Sequence, residues 1–144
     1  MNKLTKSFLV ILLFSVIFNF KLNAEVVKEI EIQGNERISP ETIVVFGDIL
    51  KGKDYGPSDL NDLIKKLYET SFFSNISVNL KNGKLNIIVE ENPVINSIIF
   101  DGEKADKFKE AILELLSLRE KTSFIKASVK EDINLIREFY RQLG

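Results

Sequence analysis

The chain has 144 residues with a formal net charge of −1, and 44% of them are hydrophobic and 28% charged, which is the balance of a globular protein with one ordinary domain or two small ones. Cysteine and histidine are both absent, which excludes disulfides, thiol nucleophiles, Ser-His-Asp triads and histidine-ligated metal sites, so we predict no enzymatic activity and no cofactor. Lys3, Lys6 and Lys21 precede residue 25, so the rest of the chain has 17 of the 20 basic residues and all 21 acidic ones. Proteins that bind nucleic acids have concentrated basic patches. Because this balance indicates no such patch, we predict no nucleic-acid partner.

The N-terminal segment has the three parts of a secretory signal peptide. Met1 to Lys6 is short and positive, Phe8 to Phe20 is almost wholly apolar, and Lys21 to Ala24 resembles a processing site. We predict a signal peptide over residues 1–24, cleaved between Ala24 and Glu25. The alternative is an uncleaved membrane anchor, but the apolar run of about 13 residues is shorter than the roughly 20 that a spanning helix needs.

The next segment predicts a strand and then a short helix. Ile30 and Ile32 alternate with polar residues between Val26 and Gln33, which is the period of a half-buried strand. Ser39-Pro40-Glu41 then supplies an N-cap, a proline at the first helical position and an early acid. We therefore predict a helix from this point to Phe46.

A second helix is predicted to begin at Pro57. Its apolar residues recur at intervals of three and four and form one stripe, which comprises Leu60, Leu63, Ile64, Leu67 and Tyr68. We expect this stripe to face a core, with the charged residues of the helix in solvent. Phe72 and Phe73 follow the helix, and we expect at least one of them to pack in the core.

Asn82-Gly83 is the strongest local signal, because Asn-Gly between alternating strands is the favoured two-residue hairpin turn. Pairing outward from the turn puts three apolar pairs on one face of the hairpin: Leu80 opposite Leu85, Val78 opposite Ile87 and Ile76 opposite Val89. The turn and the pattern therefore predict the same register.

The unit then repeats. Ile30 to Gly34 is matched by Ile98 to Gly102, and Leu63 to Tyr68 by Leu135 to Tyr140. We predict a strand at residues 98–100, a helix around residues 108–116, and another opened by the capping box Ser128-Val129-Lys130-Glu131. The predicted units are residues 25–92 and 93–144. The second lacks its hairpin, so we expect the sequence to be a fragment or a truncated open reading frame. We expect the first unit alone to fold independently.

The chain resembles the POTRA (polypeptide-transport-associated) domains of the BamA family of outer-membrane assembly factors. The resemblance covers essentially all of residues 25–144 and is carried by Ile30 to Ile38, Leu67 to Ile76 and Val89 to Ile95. Ser71 stands where a glycine is common in the family, Asn92 where a basic residue is usual, and Asp101-Gly102 replaces the usual Gly-Asn. The resemblance implies an α+β fold of β-α-α-β-β units, each a three-stranded sheet packed on two helices, with the second unit incomplete.

The resemblance also implies a function without catalysis or cofactor. Such domains form a periplasmic string ahead of a membrane β-barrel at the outer membrane, receive unfolded β-barrel precursors and dock accessory lipoproteins. Similar domains in TamA, in adhesin-secretion transporters and in the division protein FtsQ leave the branch of the family open.

The POTRA arrangement predicts where partners would bind. It implies that the strand from Asn75 to Leu80 lies at the sheet edge, where an extended peptide can pair with its backbone. The predicted partner-binding residues are Asn75, Ile76, Ser77, Val78, Asn79 and Leu80; the alternative is an edge that is merely tolerated. We expect proline at one of Ser77 and Asn79 to break an internal bond and at the other only an outward one. Glu90 and Glu91 are expected to be solvated charges at a strand end.

Overall fold

A computed structural model describes residues 24–144 of the chain. The predicted signal peptide lies outside these residues except for Ala24, which is exposed. The signal peptide and its cleavage site between Ala24 and Glu25 therefore stay predictions.

The described residues form nine helices and strands. The strands are β1 (Glu25–Val26), β2 (Glu29–Gln33), β3 (Asp54–Tyr55), β4 (Phe73–Lys81) and β5 (Lys84–Glu91), and the helices are α1 (Pro40–Phe46), α2 (Pro57–Glu69), α3 (Asp106–Leu115) and α4 (Lys126–Leu143). Along residues 25–92 the order is a β-α-α-β-β unit with the short strands β1 and β3 added. The α+β architecture predicted from the sequence is confirmed.

The central sheet has three strands in the order β2-β5-β4, with β2 parallel and β4 antiparallel to β5. β1 and β3 form a separate antiparallel pair. Asn82 and Gly83 have φ angles of 56° and 76°, as the two-residue turn requires. All three predicted apolar pairs of the hairpin are confirmed by the observed register.

The helices α1 and α2 begin where the sequence predicts. The Ser39 hydroxyl accepts a hydrogen bond from the N–H of Thr42, and Pro40 is the first residue of α1. α2 begins at Pro57 and buries Leu63 and Leu67. Both positions follow from proline at a site whose N–H needs no helical partner.

The core lies between the helices and one face of the sheet. Its buried residues are Val27, Ile43, Ile49, Tyr55, Leu63, Leu67, Phe73, Ile76, Leu85, Ile87 and Val89. The core position predicted for at least one phenylalanine is confirmed by Phe73, and Phe72 packs against this core with its ring centroid 5.6 Å from that of Phe46.

Residues 98–100 do not form the predicted strand. Within residues 93–144 there is no hairpin for them to pair with, and an unpaired strand would leave its backbone groups unsatisfied. Instead, the preceding residues pair with a later segment: the N–H of Ile95 donates to Thr122 O at 2.9 Å, and the N–H of Phe124 donates to Pro93 O at 2.7 Å.

The predicted capping box at Ser128 is also wrong. α4 begins at Lys126, and Ser128 already donates its N–H to the carbonyl of Ile125 at 3.0 Å. The helix starts earlier because its first turn bonds through the backbone, with no side-chain bond at the N-cap Ile125.

α3 and α4 are joined by a buried carboxylate. Asp132 Oδ1 accepts hydrogen bonds from the N–H and the hydroxyl of Ser117, and Oδ2 accepts one from the N–H of Leu118. Burial raises the pKa of Asp132, but these bonds and the charge of Arg119 outweigh it, so the pKa lies below its ordinary value. The carboxylate therefore satisfies backbone donors where α3 ends.

An open groove of about 520 Å³ remains between residues 93–98, the segment that follows α3, and α4. In residues 25–92 the strand β4 of the hairpin packs on α2; residues 93–144 contain no hairpin that could pack on their helices. None of the helices that the structure describes has both the length and the apolarity to cross a membrane. The division of the chain at residues 92 and 93 stays a prediction.

Candidate functional site

β4 is an edge strand, because β5 pairs with it on one side and no strand among residues 24–144 pairs with it on the other. All six predicted partner-binding residues, Asn75 to Leu80, lie within it. An unpaired edge presents backbone N–H and C=O groups that an extended peptide can pair with. Partner binding at these residues stays a prediction.

The turn determines which backbone groups of β4 face outward, away from β5. In a two-residue hairpin the residues that flank the turn, here Lys81 and Lys84, form a hydrogen-bonded pair. Hydrogen-bonded and non-bonded pairs then alternate along the antiparallel ladder. The backbone groups of Leu80, Val78 and Ile76 therefore face outward.

The expected contrast between proline at Ser77 and at Asn79 is wrong. Both residues are in hydrogen-bonded pairs with β5, because residues two apart in a strand face the same way. Proline at either position would remove a bond within the sheet. The positions that test the outward backbone are Val78 and Leu80.

Tyr68 reaches this edge from α2. Its hydroxyl oxygen accepts a hydrogen bond from the outward N–H of Ile76, with 3.1 Å between oxygen and nitrogen. The sequence predicts Tyr68 in the buried stripe, but 43% of its surface is exposed. Because this donor is occupied, the free outward N–H groups of the edge are those of Val78 and Leu80, to which no other part of the described chain hydrogen-bonds.

The side chains of the edge are divided between the two faces of the sheet. Asn75, Ser77 and Asn79 are exposed, whereas Ile76 is buried and Val78 and Leu80 pack against the core. The apolar side chains are thus committed to the fold. A partner at this edge would bind mainly through the main chain, whatever its own sequence.

Glu91 organises the end of the sheet, and the expectation that it is a solvated charge is wrong. Its side chain is only 6% exposed. Oε1 accepts hydrogen bonds from the N–H groups of Glu36, Arg37 and Ile38 at 2.8, 2.9 and 2.9 Å. Oε2 accepts no hydrogen bond and is held by the charge of the guanidinium, whose Nε lies 3.1 Å away.

The pKa of Glu91 reflects two opposing effects. Burial raises it, but the three backbone N–H groups and the charge of Arg37 together lower it below its ordinary value. The carboxylate is therefore ionised at neutral pH and ties the loop after β2 to the end of β5. No local sequence signal distinguishes Glu91; its position follows from the parallel pairing of β2 and β5, which brings the end of one strand to the loop after the other.

No group of three or more acidic, histidine or cysteine residues within residues 24–144 is placed to hold a metal ion. The candidate site consists of the backbone edge of β4 and the adjoining Tyr68.

Known proteins resemble the chain in both sequence and fold. A family model described as POTRA, surface antigen variable number repeat, matches residues 93–144. The outer membrane protein assembly factor BamA of Neorickettsia risticii (strain Illinois) is 29% identical over 118 residues, which are 82% of this chain and 16% of that protein. BamA of Neisseria meningitidis serogroup B (strain MC58) is 28% identical over 121 residues, which are 82% of this chain and 15% of that protein.

The chain thus spans about a sixth of the length of these curated relatives. Among solved structures, POTRA domains 1 and 2 of the periplasmic domain of Omp85 from Anabaena superpose with a TM-score of 0.56. The match covers 86% of this chain and 83% of that one at 16% sequence identity. At this identity the likeness concerns the fold alone.

Proposed function

The chain carries POTRA domains of the BamA family, and from this premise we propose that it is the periplasm-facing, substrate-binding and scaffold region of an outer-membrane protein that inserts β-barrel proteins into the membrane. Its clients in this proposal are unfolded β-barrel precursors, and accessory assembly lipoproteins dock on the same module. The relatives named as outer membrane protein assembly factors support this assignment.

The observation that carries the proposal is the open backbone edge of β4. A β-barrel precursor consists of short segments of alternating apolar and polar residues that differ in sequence from one protein to the next. Main-chain pairing suits such clients, because it draws its affinity from N–H and C=O groups that every sequence has. The outward groups of Val78 and Leu80 supply these bonds.

Tyr68 limits where a client can pair. Its hydroxyl occupies the N–H of Ile76, so an added strand pairs next to the turn, at Val78 and Leu80, and diverges from the sheet near Ile76.

The test is a proline substitution on the outward side of β4. Val78→Pro removes one outward donor and obstructs an added strand, while proline with its N–H side in solvent is tolerated in an edge strand. Val78→Ala is the matched control for the lost side chain, which packs against the core. Both variants are titrated with a synthetic barrel-strand peptide, and each is melted to verify that it is folded.

We expect Val78→Pro to weaken peptide binding about tenfold relative to Val78→Ala, which corresponds to about 1.4 kcal/mol. The lost interactions are one or two backbone hydrogen bonds, each contributing about 1 kcal/mol. Equal affinities of the two folded variants would show that the β4 edge is not the client site.

A further inference from the structure

The turn between β4 and β5 contains a chemically labile pair of residues. Asn82 is the one asparagine in the sequence that is followed by glycine. The backbone nitrogen of a residue that follows asparagine can attack the side-chain amide carbon, and glycine obstructs this attack least because it has no Cβ and rotates freely. Asn82 is exposed and Gly83 is buried. The amide that would react is therefore open to water, whereas the nitrogen that would attack it lies within the fold.

Three residues between positions 25 and 29 hold Gly83 at both its N–H and its carbonyl group. The N–H of Gly83 donates a hydrogen bond to Glu25 Oε1. Its carbonyl oxygen accepts two, from the N–H of Lys28 at 2.7 Å and from that of Glu29 at 3.0 Å. The side chain of Lys28 also covers the glycine, since a Cβ added there would lie 3.0 Å from Lys28 Cδ. We call Glu25, Lys28 and Glu29 the turn clamp.

The turn clamp opposes each step that the attack requires. The Gly83 nitrogen must lose its proton, but that proton is held by the Glu25 carboxylate, whose charge disfavours a second negative charge beside it. The nitrogen must also turn towards the Asn82 side chain, but the two bonds at Gly83 O fix the orientation of the residue. Asn82 and Gly83 are held at the φ angles of 56° and 76° that the two-residue turn requires. The folded turn is therefore the unreactive arrangement of this pair.

We propose that Asn82 is a site of spontaneous modification, which converts it to aspartate and isoaspartate at a rate that the turn clamp limits. The Gly83 nitrogen bonds to Asn82 Cγ, and the side-chain nitrogen leaves as ammonia with the proton that Gly83 loses. The product is a cyclic imide. Water then opens the imide, at the side-chain carbonyl to give aspartate or at the main-chain carbonyl to give isoaspartate. Water is the only co-reactant, and the modification does not depend on the proposed function.

The two products differ in their effect on the hairpin. Aspartate keeps the main chain unchanged and, like asparagine, tolerates a positive φ. Isoaspartate routes the main chain through the former side chain and lengthens it by a carbon atom, in a turn that has room for two residues. Lys81 and Lys84, which flank the turn, can then no longer pair in the same register. Accumulation of isoaspartate should therefore lower the melting temperature of the chain.

A carboxylate beside an attacking nitrogen can also act as a general base, by accepting the proton during the attack. The contacts of Gly83 favour protection instead. A base accelerates the reaction only if the nitrogen can reach Asn82 Cγ, and the bonds from the N–H groups of Lys28 and Glu29 hold Gly83 in the turn. Removal of the Glu25 side chain should therefore speed the modification rather than slow it.

The experiment follows the conversion of Asn82 in the purified chain, incubated in mildly alkaline buffer and analysed by peptide mapping with mass spectrometry. Each protein is incubated both folded and in urea. We expect the wild-type chain to convert at least about tenfold more slowly when it is folded, because the bonds of the turn clamp must first break. Circular dichroism melts verify that each variant is folded at the temperature of the incubation.

Three variants test the turn clamp. Glu25→Ala should speed conversion in the folded chain about tenfold, because a hydrogen bond to a charged acceptor is lost. Glu25→Gln keeps an acceptor oxygen and should speed it about threefold, and this variant supplies the comparison if Glu25→Ala does not fold. Glu29→Ala is the matched control and should leave the rate unchanged. Its carboxylate is 65% exposed and lies 3.7 Å from Lys84, while its backbone bond to Gly83 remains.

The outcomes separate the site from its control. Faster conversion in folded Glu25→Ala, with equal rates for all proteins in urea and no effect of Glu29→Ala, would support both. No conversion of Asn82 in urea would overturn the site, and equal rates in the folded and unfolded wild-type chain would overturn its protection. Slower conversion in Glu25→Ala than in the wild type would overturn the turn clamp, since Glu25 would then be a base. Equal acceleration by Glu25→Ala and Glu29→Ala would overturn it as well, because the charge near the turn would then control the rate.

Discussion

Removal of the Glu91 carboxylate tests whether a single side chain holds the end of the sheet together. Glu91→Ala deletes the acceptor shared by three backbone N–H groups. Those of Glu36 and Arg37 are exposed, so water replaces most of what they lose. The N–H of Ile38 is partly buried, and its bond to a charged acceptor contributes about 2 kcal/mol.

The ion pair adds less, because the Arg37 side chain is 45% exposed and such a pair contributes about 0.5 kcal/mol. With a similar small amount for the two hydrated bonds, we expect Glu91→Ala to lower the free energy of unfolding by about 3 kcal/mol. Glu91→Gln keeps an acceptor oxygen but loses the charge that roughly doubles the strength of each bond, so its cost should be about 1.5 kcal/mol.

The assay is urea unfolding followed by circular dichroism, with Glu90→Ala as the matched control. Glu90 is the exposed neighbour of Glu91 on the same strand, and its removal should change stability by less than about 0.5 kcal/mol. Glu91→Ala and Glu90→Ala with equal unfolding midpoints would refute the role of Glu91 as the link between β5 and the loop after β2.

The pH dependence gives an independent measurement. The pKa of Glu91 is lower in the folded chain than in the unfolded one, so the stability that it contributes is fully present above the unfolded pKa of about 4.3. That contribution is lost as the pH falls through the lowered folded value. The difference between wild type and Glu91→Ala should therefore be constant near neutral pH and shrink in acid; a difference that persists unchanged in acid would contradict the ionised state of Glu91.

Three further predictions concern other elements. Tyr68→Phe removes the hydroxyl that accepts the hydrogen bond from the N–H of Ile76, and it should lower the free energy of unfolding by about 1 kcal/mol. Because the N–H of Ile76 becomes free to pair with a client, the variant should bind the barrel-strand peptide about threefold more tightly; weaker binding would contradict the proposal that Tyr68 limits client pairing. Ser71 has a φ of 60°, a left-handed conformation that is strained for serine but not for glycine. Ser71→Gly should therefore raise the free energy of unfolding, measured in urea, by about 0.5 kcal/mol, because the relief of this strain exceeds the entropy that glycine adds to the unfolded chain. Amide exchange should show protection concentrated in residues 25–92, and equal protection in residues 93–144 would show that the predicted division of the chain is wrong.

Much of the fold was readable from the sequence, because it depends on neighbours along the chain. Asn82-Gly83 and the alternation on both sides of it set the register of the hairpin, and the structure has the same three apolar pairs. Ser39-Pro40 set the start of α1 in the same way. A turn, a cap and a periodic stripe act within a few residues, so the sequence alone determined them.

The candidate site depended on contacts between distant residues. Glu91 lies 53 to 55 positions from the loop that it binds, and nothing near it in sequence distinguishes it from the exposed Glu90. Tyr68 fitted the apolar stripe of its helix, but its hydroxyl bonds an edge that only the sheet order creates. Residues 98–100 have the alternating pattern of a strand, but no strand within residues 24–144 lies beside them to pair with.

The sequence therefore determined which segments become helices and strands and which of their faces are apolar, since periodicity and turn chemistry are local. Only the tertiary structure decided which strand edges remain open, which carboxylate is buried and which residues hold Gly83 in the turn. Each of these depends on how parallel and antiparallel neighbours pair in the sheet, and pairing is a property of residues far apart in the chain.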